Sequence, residues 1–110
     1  MGSQAILIIS TVPSVEVGEQ IANALLVNKL AACVNIMPSV TSLYTWKGDI
    51  CSDNEVLLFI KSRPEYFIDR VIDTIKSIHP YEVPEIIAIP IIMGDQPYLE
   101  WIRETTELEK

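Results

Sequence analysis

The 110-residue sequence is poor in the side chains that build most small metal centres, with two cysteines and a single histidine. Cys33 and Cys51 do not form a C-x-x-C pair, and His79 has no second imidazole to join it. That excludes zinc fingers and ferredoxin-type iron–sulfur clusters. Long apolar runs are lacking too. The richest stretch, Ile86 to Met93, is far shorter than the roughly 20 residues of a membrane-spanning helix. The start, Met1-Gly2-Ser3-Gln4, has no basic leader pattern, and Ile6 stands where a myristoylation signal wants Ser or Thr, so a cytoplasmic address and no membrane partner are expected. Basic charge is scarce: eight Lys and Arg stand against fifteen Asp and Glu, a formal net charge of −7. Such a field repels phosphate backbones, and nucleic acid is excluded as a partner. There is no internal repeat and no low-complexity tract.

What remains is one apolar-rich chain, 49% hydrophobic. At this length about 65% of the unfolded surface can be buried, enough for a core without disulfides or metal. A single domain over residues 1–110 is expected. Ile6 to Ile9 reads as a central strand, apolar on both faces. Pro13-Ser14 opens a helix with Val17, Ile21, Ala24 and Leu25 at helical spacing, ending near Asn28-Lys29. Ala31 to Trp46 and Ile50 to Lys61 read as two strands of a long hairpin turning at Lys47-Gly48. Ser62-Arg63-Pro64-Glu65 starts a second helix with Ile68, Val71, Ile72, Ile75 and Ile78 inward, stopped by His79-Pro80. Pro84 to Met93 is a fourth strand. Gly94-Asp95-Gln96-Pro97 begins a last helix with Tyr98, Trp101, Ile102 and Thr105 on one face.

This order predicts an α+β fold, the ferredoxin-like βαββαβ sandwich with an antiparallel sheet, an extra C-terminal helix and an unusually long hairpin between the second and third strands. Side-chain alternation then meets turn geometry. A two-residue turn at Lys47-Gly48 pairs residues whose numbers sum to 95, yet the apolar faces require even to pair with even. One residue must therefore be bulged, at Pro38, which sets Cys33 opposite Lys61. The sheet face away from the helices carries Leu7, Ile9, Leu57 and Phe59 with nothing to cover it, and the hairpin arms reach roughly 46 Å against a globule about 34 Å across. Both features point to a closed homo-oligomer.

Four segments carry a resemblance: Leu30-Ala31-Ala32-Cys33-Val34-Asn35, Ser42-Leu43-Tyr44-Thr45-Trp46-Lys47-Gly48, His79-Pro80-Tyr81-Glu82-Val83-Pro84-Glu85-Ile86, and Tyr98-Leu99-Glu100-Trp101. Over essentially its whole length the chain resembles the CutA family of divalent-cation tolerance proteins. The resemblance implies a ferredoxin-like homotrimer, cytoplasmic, that binds copper and other divalent ions and is associated with metal tolerance and the response to metal ions. Some relatives carry extra cysteines or a second histidine where this chain has Ser10, Thr74 and Ile78.

Cys33, His79 and Glu82 are the candidate metal ligands: a thiol beside the Lys61 ammonium, an imidazole and a carboxylate suit a borderline divalent ion. Packing at a strand interface is the competing role for Cys33, and a helix C-cap that for His79. Because the topology puts Cys33 and His79 at opposite ends of the sheet, a shared ion would lie between subunits. Tyr44, Trp46, Glu55, Phe59, Lys61 and Tyr81 are candidates for a ligand-binding or interface surface. The chain is not expected to be an enzyme: no nucleophile, base and orienter occur together, and Thr11-Val12-Pro13-Ser14 offers no cation for acylphosphatase-type chemistry. The alternative function is a non-catalytic trimeric regulatory or assembly module that binds a small ligand or a partner protein at its subunit clefts.

Overall fold

A computed structural model of the protein describes residues 4–108; the opening segment Met1 to Ser3, read above for a leader pattern, lies outside the described residues. The chain runs β1 (Ala5–Val12), α1 (Val15–Val27), β2 (Cys33–Trp46), β3 (Asp49–Ser62), α2 (Ile72–Ile78), β4 (Ile86–Ile91) and α3 (Gln96–Thr105). The four strands form one antiparallel sheet in the order β2-β3-β1-β4. The expected ferredoxin-like order is therefore present, with β1 and β3 central.

Local chemistry sets most element ends. Ser14 caps α1 by accepting a hydrogen bond from the Val17 N–H at 3.2 Å, which satisfies one of the helix's orphan donors. Inside α1, Gly18 lies against β3: a Cβ there would stand 3.1 Å from Leu58 Cδ2, so the missing side chain lets helix and sheet approach. At the hairpin tip Lys47 (φ 51°) and Gly48 (φ 86°) both take positive φ, as a type I′ turn requires. The core forms between the sheet and the helices from Ile6, Ile8, Val12, Ile21, Leu25, Val56, Leu58, Ile60, Val71 and Ile75. Within it, the Ser10 hydroxyl is buried with no hydrogen-bond partner among the described residues.

Two inward-facing assignments need correction. The second helix does not begin as an α-helix at Pro64 but as a 3₁₀ turn (Pro64–Tyr66) followed by a π-helical stretch (Phe67–Val71). The wider π turn resets the helical phase, so Ile68 points outward at 68% exposure while Phe67 packs on the core. In α3 the buried side is Ile102 and Thr106, with Leu99 half-buried beside them; Tyr98 and Trp101 are exposed and stack on each other, ring centroids 5.5 Å apart.

The faces of β2 reverse halfway along. Cys33 pairs with Lys61, Asn35 with Phe59 and Met37 with Leu57; beyond a shift between Met37 and Val40, Val40 pairs with Glu55, Ser42 with Asp53 and Tyr44 with Cys51. The bulge expected at Pro38 is thus present, and Ser39 absorbs it with φ 68°. Below it the odd residues of β2 share the helix-free face with the odd residues of β3; above it the even ones do. Both hairpin strands are 14 residues long and the molecule extends 45 Å along its longest axis, so the ribbon projects from the globule.

The helix-free face is only partly covered. Around Ala5 and Ile91, α3 closes it with Ile102 and Leu99. Beyond that corner, strand pairing aligns Ile87, Ile9, Phe59 and Asn35 in one row and Ile89, Leu7, Lys61 and Cys33 in the next. Ile87 and Ile89 at the β4 end are exposed.

Candidate functional site

The bulge creates the site. By carrying the even residues of β2 onto the helix-free face, it sets Tyr44 diagonally across from Asp53, with Glu55 one pair further along. The Tyr44 hydroxyl donates a hydrogen bond to Asp53 Oδ2. That bond pushes the phenol's pKa up to about 12, because ionisation would lose the bond and set an anion beside the carboxylate. From the other side, the loop after α2 brings Tyr81 over the hairpin root, where its hydroxyl donates to Glu55 Oε2 at 2.7 Å. Burial, then this bond to Glu55, holds the Tyr81 phenol far above its ordinary range. Glu55 is itself buried, and Tyr81 is its partner there.

His79 secures that loop. Its backbone N–H donates to the Ile75 carbonyl at 2.8 Å and ends α2. Its ring, buried, reaches β1: Nε2 bonds the Thr11 carbonyl at 2.7 Å and Nδ1 accepts the Tyr81 backbone N–H at 3.2 Å. The imidazole does not meet the helix carbonyls, so the side-chain capping role considered for it is replaced by a tie between strand and loop. The His79 and Tyr81 rings touch with centroids 4.7 Å apart.

Together these elements enclose a cleft of about 740 Å³ walled by Thr11, Tyr44, Trp46, Tyr81 and the carboxylates of Asp53, Glu55, Glu82 and Glu85. The structure thus brings Tyr44, Trp46, Glu55, Tyr81 and Glu82 to one place. Glu85, which the sequence sets beside Glu82 as a possible carboxylate ligand, lines it too, as do Asp53 and Thr11, which sequence reading missed. The parity argument that located the bulge carried the signal for Asp53, because it puts Ser42 opposite Asp53.

The remaining candidates lie elsewhere. Lys61 Nζ donates to Asn35 Oδ1 at 2.8 Å and lies 6.0 Å from the Tyr98 ring centre, on the apolar face with Phe59 and Cys33. Cys33 pairs with Lys61, which faces Leu7 on β1, whereas His79 bonds Thr11; those four residues of strand amount to about 13 Å. Cys33, His79 and Glu82 therefore do not meet in one chain. Among the described residues no three His, Cys, Asp or Glu side chains gather closely enough to hold a metal ion. The described residues of one chain thus do not by themselves fit a copper centre.

Known proteins share this architecture. The family described as CutA1 divalent ion tolerance protein matches residues 6–105. The divalent-cation tolerance protein CutA of Thermus thermophilus is 47% identical over 100 residues, spanning 91% of this chain and 96% of that protein. Human protein CutA is 46% identical over 97 residues, 88% of this chain but only 54% of the human protein, so the chain spans about half the length of that relative. Among solved structures, a divalent cation tolerance protein from Thermus thermophilus superposes with TM-score 0.90 at 46% identity, covering 94% of this chain and 99% of that one. CutA1 from Oryza sativa superposes with TM-score 0.90 at 42% identity, covering 96% of each chain.

Proposed function

From the premise that the chain belongs to the CutA1 divalent ion tolerance family, we propose that it is a cytoplasmic homotrimer that binds divalent ions, copper among them, and serves in metal tolerance rather than in catalysis. The observation that carries the assembly is the pair of apolar rows, Ile87-Ile9-Phe59 and Ile89-Leu7, on a sheet face that α3 covers only at one corner. A surface of that composition beside a projecting ribbon is stable in water when a second copy covers it. A free thiol at Cys33, on the same face, suits copper and belongs to a reducing compartment. No helix among the described residues is long and apolar enough to cross a membrane.

Because one chain does not gather enough ligands, the ion of this proposal lies between subunits. Native mass spectrometry with and without added copper tests both halves at once. A trimer that takes up copper in a fixed ratio, with uptake lost in Cys33→Ser, is the expected result; a monomer, or copper uptake indifferent to Cys33, refutes the reading.

The cleft favours a second reading, a non-catalytic regulatory or assembly module. Three aromatic rings and a buried carboxylate in an opening of about 740 Å³ suit a small ligand or a partner's side chain better than a bare ion. A thermal-shift screen of metabolites against the parent and Trp46→Ala separates the two.

A further inference from the structure

We infer that His79, the chain's single histidine, is a positioning residue for the cleft wall and offers no nitrogen to a metal ion. Both ring nitrogens are already committed, and their partners decide the proton. The Thr11 carbonyl can only accept, so Nε2 carries the hydrogen; the Tyr81 backbone N–H can only donate, so Nδ1 carries the lone pair. A metal ion needs a free lone pair. Nδ1 spends its own on Tyr81, and Nε2 has none while it is bonded to Thr11. The ring is 7% exposed, so an ion reaching it would have to displace one of these bonds inside the packed structure.

The same two bonds give the residue its work. Thr11 is the last residue but one of the central strand β1, and Tyr81 is the loop residue whose phenol reaches Glu55 at 2.7 Å. His79 thus ties the loop to the sheet in the one tautomer that leaves Nδ1 free to accept. The Tyr81 phenol, held in this way, is the partner that Glu55 needs at its buried position. Removing the imidazole frees the loop, and the cleft loses one wall although no lining residue has changed.

The sole histidine makes the test unambiguous. In ¹⁵N-labelled protein a long-range ¹H–¹⁵N correlation reads one imidazole; the expected pattern is the proton on Nε2, unchanged when Zn²⁺ is added as a diamagnetic probe. This arm stands without the metal-binding proposal, which the Cys33→Ser experiment judges separately. In His79→Asn the side-chain oxygen can still accept from the Tyr81 backbone N–H, so that amide should stay protected from hydrogen exchange and copper uptake should match the parent. In His79→Ala the Tyr81 amide should exchange at least ~10-fold faster, with copper uptake again unchanged. The inference is overturned by a proton on Nδ1, by movement of the ring signals with Zn²⁺, by a loss of copper affinity of ~10-fold or more in His79→Asn, or by a Tyr81 amide that exchanges no faster in His79→Ala than in the parent.

Discussion

Tyr81, on the loop after α2, donates its hydroxyl to Glu55 of β3 at 2.7 Å, and this bond closes the cleft between loop and hairpin. Its strength comes from burial: Glu55 is 7% exposed, so water does not readily replace the phenol.

Tyr81→Phe should therefore destabilise the protein by about 1–3 kcal/mol, the usual cost of leaving a buried polar group unpaired. Glu55→Gln, whose amide oxygen can still accept from the phenol, should cost less. Urea denaturation of the parent and both variants checks the order.

Tyr44 should ionise at about 12, its hydrogen bond to Asp53 being the first cause. A phenol whose folded-state pKa is raised stabilises the fold below its ordinary pKa near 10 and loses that contribution as pH climbs toward 12. In Asp53→Asn the titration, followed by ultraviolet absorbance, should move back toward 10 as the anionic partner disappears.

Among the described residues the Ser10 hydroxyl has no hydrogen-bond partner. Ser10→Ala removes a buried group that desolvation penalises and should be neutral or stabilising by up to ~1 kcal/mol. A lower melting temperature for Ser10→Ala would show that the hydroxyl does have a partner.

Phe59→Glu should abolish the proposed assembly and impair folding, because it sets a charge in the row between Ile9 and Asn35. Analytical ultracentrifugation at micromolar concentration reads the assembly, and circular dichroism the fold. An assembled, folded Phe59→Glu protein would put the interface elsewhere.

Deleting Ser39 should be severe. Without the bulge, either Val34 and Ile36 leave the core or Tyr44 and Trp46 leave the cleft face, because a one-residue slip exchanges the faces of a strand. Loss of the cooperative unfolding transition is the expected outcome.

The linear order of residues by itself determined the element order, the Lys47-Gly48 turn and, through the parity between that turn and the apolar alternation, the bulge near Pro38 and the pairing of Cys33 with Lys61. These are local or period-two properties, written in neighbouring residues. Tertiary structure alone decided the rest. The π-helical stretch that turns Ile68 outward arises where a helix must meet a fixed core, and Ile102 rather than Trp101 became the anchor of α3 because Ala5 and Ile91 lie beneath it. The site was half legible: the His79 to Glu85 segment and the Tyr44 to Trp46 segment stand out in sequence. Their meeting with Asp53 and Glu55, and the Thr11 carbonyl that claims the imidazole 68 residues away, depend on strands folded back from distant positions. A side chain's type announces which bonds it can make, but only the packed backbone decides which partner arrives first.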